Sequence, residues 1–179
     1  MTDAATAIAL TIRNVSENDE PVVRDLISSA FPSDAEARLV EKLRDCGALV
    51  LEQVAVDEDG AIVGHVAYSR VTPAAIGAGQ ALQIACLAPV SVWPDKQRKG
   101  IGSALITASL EKLKEIGEDL VLVLGPPSYY PRFGFDPVLA RKVQGPYAGD
   151  PFMALALTDD GSRLLPIEVA FATPFEEFE

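Results

Sequence analysis

Cations and glycines are concentrated in one short segment, between an apolar stretch and a helix-like stretch. The segment follows Trp93-Pro94-Asp95 and consists of Lys96, Gln97, Arg98, Lys99, Gly100, Ile101, Gly102 and Ser103. The first backbone N–H groups of a helix are unpaired, the helix dipole is positive there, and glycine lets an anion approach the backbone closely. Because the whole chain carries a formal net charge of −11, these local cations predict a site for a bound anion such as a pyrophosphate.

Two known phosphate-binding patterns do not fit this segment. A P-loop requires Gly-Lys followed by Ser or Thr, whereas here Lys99 precedes Gly100. The dinucleotide fingerprint G-x-G-x-x-G requires a third glycine where Leu105 stands, and it belongs to the first βα turn of a doubly wound sheet. A nucleotide-binding module is therefore disfavoured.

The elements that position this segment form a strand, a helix and a second strand. An apolar strand over residues 81–92 precedes the segment, a helix over residues 99–116 contains its glycines, and a short apolar strand over residues 120–124 follows. Because a crossover helix joins parallel strands, this order predicts a βαβ unit.

The N-terminal half predicts one strand, two helices and a hairpin. The strand covers residues 8–14, and the helices start with capping-box patterns at Ser16 and Ser33, the second of which pairs Ser33 with Glu36. Strands over residues 48–56 and 61–71 flank a turn that ends in Asp-Gly, which is typical of an antiparallel hairpin.

The C-terminal half predicts one helical turn over residues 128–133 and late strands over residues 152–158 and 167–172, with a turn at Asp159-Asp160-Gly161 between the strands. No internal repeat or linker interrupts the chain. We therefore expect one mixed α/β sheet domain over residues 1–179, with residues 1–7 disordered and residues 164–179 forming a C-terminal extension or strand.

Composition excludes several classes of protein. The chain has 179 residues, 49% of them hydrophobic and 23% charged, and a mean hydropathy of +0.19, which is typical of a globular domain rather than a disordered or fibrous chain. Its acidic pI of about 4.5 argues against a nucleic-acid or anionic-membrane partner and favours a cationic substrate. The longest charge-free run, residues 71–94, is broken by prolines, glycines and glutamines and is not expected to span a membrane.

Cysteine and histidine are too few for several kinds of site. With only Cys46, Cys86 and His65, the chain lacks the parts for a disulfide scaffold, a zinc cluster or a His-dependent triad, and we expect no metal. Two thiols without CxxC spacing predict reduced core residues in a cytoplasmic protein. His65 lies in the middle of a strand, where a buried structural histidine is the favoured interpretation.

A family resemblance rests on two motifs. Val92-x-Pro94-x-x-Gln97-x-x-Gly100-x-Gly102 resembles the acetyl-CoA-binding motif of the GCN5-related N-acetyltransferases, and the order of elements over residues 8–158 is similar to that family. Tyr129-Tyr130-Pro-Arg-Phe-Gly-Phe, with a late Phe-Met-Ala-Leu strand, resembles an uncharacterised bacterial subgroup. The resemblance implies a GNAT-like fold, in which helices flank a central, mixed, mostly antiparallel sheet with splayed strands.

The resemblance also implies residue roles. Main-chain groups of Val90, Ser91 and Val92 would pair with pantetheine, and a backbone N–H near Val90 would stabilise the oxyanion. The other implied cofactor-binding residues are Gln97, Arg98, Lys99, Gly100, Ile101, Gly102 and Ser103. Tyr130 would protonate or hydrogen-bond the departing CoA thiolate, although a purely packing role for this residue stays open. Arg132 is either a ligand contact or a surface ion-pair partner.

The general base is not indicated by the motif strand, because no carboxylate lies between Val71 and Pro94. Glu36, Glu52 and His65 stay as candidates. The predicted function is transfer of an acetyl group from acetyl-CoA to a primary amine of an unidentified small molecule or peptide, and the alternative is a non-catalytic acyl-CoA-binding regulator. The expected partners include neither nucleic acid nor a membrane, and both a monomer and a homodimer are compatible with the sequence.

Overall fold

The computed structural model describes residues 9–74 and 77–177. The expected disorder of residues 1–7 lies outside this range. Within it, eight strands form: β1 (Thr11–Asn14), β2 (Leu49–Val56), β3 (Ile62–Pro73), β4 (Ile84–Val92), β5 (Leu120–Leu124), β6 (Val143–Gln144), β7 (Phe152–Ala156) and β8 (Ile167–Phe171). The α-helices are α1 (Glu20–Ala30), α2 (Ala35–Asp45), α3 (Ile101–Glu115), α4 (Pro137–Ala140) and α5 (Asp159–Arg163).

The hairpin of β2 and β3 is confirmed, and its turn is held by one carboxylate. Asp57 Oδ1 accepts hydrogen bonds from the backbone N–H of Asp59 at 3.0 Å and of Ala61 at 2.9 Å. Gly60 has a φ of +82°, the left-handed conformation that glycine adopts without strain. The turn places His65 opposite Val54 in the antiparallel register.

The two predicted capping boxes have different outcomes. At the first, the backbone N–H of Ser16 donates to Asp19 Oδ2 at 2.7 Å, as expected. The second prediction is wrong, because Asp34 rather than Ser33 precedes the first residue of α2, and the side chain of Asp34 accepts no capping hydrogen bond. The backbone N–H of Ala35 donates to Ser33 Oγ at 3.3 Å, which leaves the Glu36 carboxylate outside the cap.

The sheet confirms the expected mixed, mostly antiparallel architecture. Its order is β1-β2-β3-β4-β5-β7, with β8 added to the far end of β3. Every pairing along this path is antiparallel except that of β4 with β5, which α3 connects. The βαβ unit predicted from the sequence is therefore present.

Strands β4 and β5 separate after four paired residues. Their parallel register runs from Ile84 opposite Leu120 to Leu87 opposite Val123. β4 continues to Val92 and stays paired with β3, while β5 stays paired with β7 and ends at Leu124. The edge of β4 beyond Leu87 is consequently not paired with β5, which is the splay that the resemblance implied.

The two faces of the sheet carry different helices. Ala85, Leu87, Val121 and Val123 pack with the apolar side of α3. The alternate residues of the same strands, which include Cys86 and Leu122, pack on the opposite face in the cluster that contains α2 side chains. The split between β4 and β5 therefore lies between α2 on one face and α3 on the other.

The closed end of the split carries an ion pair with a buried carboxylate, which the sequence did not indicate. Arg70 donates to both carboxylate oxygens of Glu118 at 2.8 and 2.7 Å, and also to the backbone oxygen of Ile84 at 3.1 Å. Glu118 is 3% exposed. This contact ties β3 and the start of β4 to the residues that lead into β5.

Two features near the C-terminus, α5 and β8, go beyond the sequence prediction. The predicted turn at Asp159-Asp160-Gly161 is instead the first turn of α5, because Thr158 Oγ1 accepts a hydrogen bond from the backbone N–H of Gly161 and caps the helix. The C-terminal extension contributes β8, which pairs antiparallel with the end of β3. It therefore becomes part of the sheet and brings Phe171 and Phe175 to the face that carries α2.

Cys86 is buried as expected, whereas Cys46 is exposed at the end of α2 and is not a core residue. Neither cysteine forms a disulfide. Over the described ranges, no helix combines the length and the apolar content needed to cross a bilayer.

Candidate active site

The start of α3 is an uncapped helix N-terminus. Gly100 precedes the first helical residue, has a φ of +83° and offers no side chain to cap the backbone N–H groups of Ile101, Gly102 and Ser103. The backbone N–H of Ala104, the residue after these three, donates to Gly100 O at 3.0 Å. Three N–H groups therefore point toward the space in front of the helix, where an anion can accept from them.

The turn between β4 and α3 is held against the sheet by side chains. The Trp93 indole N–H donates to Ile62 O at 2.9 Å, and the Gln97 amide donates to Val92 O at 3.2 Å. Arg98 adopts a φ of +63°, which is uncommon for a residue with a side chain. These contacts keep the cationic turn next to the unpaired edge of β4.

A cleft of about 530 Å³ opens at this junction. Eight of the ten predicted cofactor-binding residues line it: Val90, Val92, Gln97, Arg98, Gly100, Ile101, Gly102 and Ser103. Of the other two, Ser91 is buried with its side chain within the sheet, and Lys99 is exposed beside the cleft. Lys96 and Arg132 also line the cleft, so with Arg98 it contains three cationic side chains.

Tyr129, rather than Tyr130, lines this cleft. The Tyr129 hydroxyl lies 3.2 Å from Ser103 Oγ, within hydrogen-bond distance, and the guanidinium of Arg132 lies 4.5 Å from the centre of its ring. Both tyrosines belong to one sequence motif, and the family resemblance implied the chemical role for Tyr130. A turn with two adjacent tyrosines does not itself reveal which ring faces the ligand.

Tyr130 is held in the wall of the core beside the cleft. It is 7% exposed, and its ring makes edge contacts with Tyr129 and Phe135 at centroid distances of 5.2 and 5.8 Å. Its ring also packs on Gly125, where an added Cβ would lie 2.3 Å from the ring. Burial raises the pKa of Tyr130 to about 12, with smaller contributions from Tyr129 and Cys86. The phenol therefore keeps its proton at neutral pH.

Two of the three candidate bases are engaged with each other. Glu52 Oε1 lies 2.6 Å from an Arg44 guanidinium nitrogen and 2.9 Å from His65 Nε2. Burial alone would raise the pKa of Glu52, but the hydrogen bonds from His65 and Arg44 lower it below its ordinary value. His65 is fully buried, as the structural interpretation predicted. This group lies within the sheet and lines neither the cleft nor the cavity described next.

The third candidate, Glu36, is a half-buried residue at a cavity. It lines a second cavity of about 290 Å³ on the α2 side of the sheet, together with Leu87, Ala88 and Pro89 of β4. Glu36 Oε2 is buried and has no hydrogen-bond partner among the described residues. Of the three candidates, Glu36 is thus the one that reaches the split between β4 and β5.

Metal chemistry has no matching set of ligands in residues 9–74 and 77–177. No group of three or more His, Cys, Asp and Glu side chains there lies close enough to hold a metal ion.

Comparison with known sequences identifies relatives of this chain. Residues 11–138 match the family model described as an acetyltransferase (GNAT) domain. The uncharacterized N-acetyltransferase YhbS of Escherichia coli strain K12 is 35% identical over 162 residues, which are 89% of this chain and 95% of that protein. Mycothiol acetyltransferase of Mycolicibacterium vanbaalenii is 36% identical over 89 residues, 49% of this chain and 27% of that longer protein.

Solved structures agree with the sequence comparison. The crystal structure of Escherichia coli YhbS in complex with CoA matches with a TM-score of 0.86 and 32% identity, over 100% of this chain and 97% of that one. A GNAT family acetyltransferase from Brucella melitensis in complex with acetyl-CoA matches with a TM-score of 0.75 and 30% identity, over 93% of this chain and 98% of that one. The chain belongs to the GCN5-related N-acetyltransferase (GNAT) family.

Proposed function

We propose that this protein transfers an acetyl group from acetyl-CoA directly to a primary amine. The observation that carries the proposal is the uncapped start of α3, which lies beside the unpaired edge of β4 in a cleft with three cations. The CoA and acetyl-CoA bound by the Escherichia coli and Brucella melitensis relatives support acetyl-CoA as the ligand of this cleft.

The pyrophosphate is proposed to bind at the start of α3. Backbone N–H groups of Ile101, Gly102 and Ser103 would donate to its oxygens, and Lys96, Arg98 and Arg132 would neutralise its charge. Gln97 would hold the turn through its bond to Val92, and Lys99 and Gly100 would complete the loop. This arrangement requires no contact with the adenine base of CoA, so CoA is expected to bind through its phosphates and pantetheine.

The pantetheine is proposed to bind along β4. Beyond Leu87 the edge of β4 is free of β5, so main-chain groups of Val90, Ser91 and Val92 are available to pair with the pantetheine amides as an added strand would. A backbone N–H near Val90 would then lie close to the thioester and stabilise the oxyanion that forms when the amine attacks.

Tyr130 is proposed to stabilise the departing thiolate by a hydrogen bond. A phenol with a pKa of about 12 holds its proton more tightly than a thiol with an ordinary pKa of ~8.5. Hydrogen bonding by Tyr130 is therefore favoured over full proton transfer, and water supplies the proton that converts the thiolate to free CoA.

The proposal also includes a cytoplasmic location and an amine as the second substrate. Two cysteines without a disulfide are consistent with the reducing environment of the cytoplasm. A net charge of −11 favours an amine over a nucleic acid as the second substrate.

Calorimetric titration with acetyl-CoA, with ATP and NAD as controls, tests the binding part. A free-thiol assay with a panel of primary amines tests turnover. Selective acetyl-CoA binding with amine-dependent thiol release is expected. Selective binding with no release for any amine would favour the regulator, while equal or tighter binding of ATP or NAD would overturn the acetyl-CoA assignment.

A further inference from the structure

The cavity on the α2 side of the split is built by distant parts of the chain. Strands β4 and β5 form its floor, α2 forms one side, and aromatic residues from the C-terminal half form the rest. Its aromatic residues are Tyr147, Phe152, Phe171 and Phe175. The ring centroids of Tyr147 and Phe171 are 4.9 Å apart and those of Phe171 and Phe175 are 5.8 Å apart, both in edge-to-face arrangements.

The cavity borders the same stretch of β4 as the cofactor cleft. Ala88 and Pro89 line the cavity, whereas Val90 and Val92, the next residues along the strand, line the cleft. Leu87 and Val123, the last paired residues of β4 and β5, also lie in the cavity wall. A molecule in this cavity would therefore meet the end of the pantetheine at the split.

The cavity has one charged group. Glu36 is the only charged side chain among the described residues that line it, and its buried Oε2 lacks a hydrogen-bond donor. A buried carboxylate oxygen without a donor is unfavourable, so a ligand that brought an N–H group or a positive charge to Glu36 would be favoured in this cavity. A primary amine supplies both.

We propose that this cavity binds the acceptor, and that the acceptor is a small primary amine with an aromatic body, held by Glu36. This inference rests on the proposed function. The apolar walls fit an aromatic ring, since an apolar cavity of about 150 Å³ already accommodates benzene and this one measures about 290 Å³. A polyamine or an amino sugar would bury a second ammonium or several hydroxyl groups without partners.

The acceptor binds as an ammonium, and Glu36 takes one of its protons and passes it to solvent before the attack. The neutral amine nitrogen attacks the thioester carbon, the C–N bond forms, and the C–S bond breaks. The proton lost by nitrogen passes to Glu36 and then to solvent, and the thiolate takes a proton from water. One amine and one acetyl-CoA give one amide and one free CoA thiol.

Two measurements test the inference. The first compares thiol release with 2-phenylethylamine, spermidine and glucosamine at saturating acetyl-CoA. We expect kcat/KM for 2-phenylethylamine to exceed the other two by roughly tenfold or more. The second titrates 2-phenylethylamine and the uncharged 2-phenylethanol into the CoA complex by calorimetry, where the amine is expected to bind roughly tenfold more tightly.

Variants of Glu36 and Phe175 test whether this cavity causes the preference for an aromatic amine. Glu36→Gln is expected to remove the preference for amine over alcohol and to lower kcat, while leaving CoA affinity unchanged. Asp45→Asn makes the same acid-to-amide change at an exposed position of α2 and is the matched control. Phe175→Leu keeps Glu36 but removes one aromatic wall, so both 2-phenylethylamine and 2-phenylethanol should bind several-fold more weakly.

The outcomes separate this inference from the proposed function. Absence of CoA binding, or of thiol release with every amine, would overturn the function. The comparison of amine with alcohol, made on the protein without CoA if CoA does not bind, would still decide what the cavity binds. Preferential turnover of spermidine or glucosamine, or unchanged amine binding in Glu36→Gln, would overturn the aromatic-amine inference and leave the acetyltransferase intact.

Discussion

Adjacent side chains in one turn have different surroundings and different expected roles. Tyr129 faces the cofactor cleft and contacts Ser103, whereas Tyr130 is buried against Gly125 and Phe135. Removing either hydroxyl leaves the aromatic packing in place, so the phenylalanine variants separate the two roles without a large change in the core.

Tyr130→Phe is expected to lower kcat while acetyl-CoA affinity stays nearly the same. A hydrogen bond to a charged group contributes roughly 1.5–3 kcal/mol, which corresponds to roughly 10- to 150-fold in rate. Tyr129→Phe should instead weaken acetyl-CoA binding and change kcat little. Steady-state kinetics and calorimetry on both variants check this, and an unchanged kcat in Tyr130→Phe would remove that residue from the reaction.

Glu36 and Glu52 show how position decides the use of a carboxylate. Glu52 is paired with Arg44 and His65, which lower its pKa, and it contributes to the buried polar contacts of the sheet. Glu36 lies outside the helix cap that its spacing predicted and faces a cavity. The same residue type is structural in one place and available to a ligand in the other.

At the scale of elements, the start of α3 is the feature on which the proposed cofactor binding depends. A Cβ added at Gly102 would lie 3.5 Å from the Tyr129 hydroxyl and 3.9 Å from Val92, which are ordinary contact distances. A larger side chain there is accommodated by the fold but extends into the cleft.

Gly102→Glu is therefore expected to abolish acetyl-CoA binding without unfolding the protein, because it places bulk and negative charge at the pyrophosphate position. Thr107→Glu adds the same charge to an exposed position of the same helix and should bind acetyl-CoA like the wild type. Calorimetry and thermal unfolding measure both effects. Normal binding by Gly102→Glu would place the cofactor elsewhere.

The closed end of the split depends on a different contact between elements. The pair of Arg70 and Glu118 joins β3, β4 and the approach to β5, and the carboxylate side chain is 4% exposed while that of Arg70 is 36% exposed. Solvent screening of the guanidinium reduces the contribution of this pair below that of a fully buried one.

Glu118→Gln is expected to lower the free energy of unfolding by about 1–3 kcal/mol, because it leaves Arg70 without its charged partner. Glu115→Gln, which removes an exposed partner of Lys112 at the end of α3, should change it by only about 0–1 kcal/mol. Urea denaturation of the three proteins makes the comparison. Equal urea midpoints for Glu118→Gln and Glu115→Gln would show that the pair of Arg70 and Glu118 contributes no more than an exposed pair.

At the scale of the whole molecule, acid should destabilise the fold through identifiable carboxylates. Hydrogen bonds from Arg13 and from the backbone and hydroxyl of Ser16 hold the pKa of Asp19 well below its usual range, and Glu52 is also lowered. A carboxylate with a lower pKa in the folded state than in the unfolded state stabilises the fold above its unfolded pKa. That stabilisation is lost as pH falls toward the folded pKa.

Unfolding free energy should consequently fall as pH drops below about 4, the pKa range of unfolded Asp and Glu. Asp19→Asn should be less stable than the wild type at pH 7 by about 1 kcal/mol or more, as for loss of a helix cap. The difference should shrink at pH 3 and below. Denaturant unfolding across this pH range tests the sign, and a difference that grows on acidification would contradict it.

The sequence by itself determined the types of most elements and the cofactor motif. Helix starts, the Asp-Gly hairpin and the glycines before α3 depend on residues within a few positions of one another, and the backbone conformations they favour are local. Residue spacing from Val92 to Gly102 could therefore be interpreted without knowing the rest of the fold. The capping box predicted at Glu36 shows the limit, since the local pattern was present but the side chain turned elsewhere.

Only the tertiary structure decided which side chains meet at the split. Glu36 and Ala88 are far apart in the chain and become neighbours because α2 packs over β4, and Phe171 and Phe175 arrive because β8 pairs with the end of β3. The choice between Tyr129 and Tyr130 likewise depends on which ring fits against Gly125. Such contacts arise from packing between distant segments, which no local residue pattern specifies.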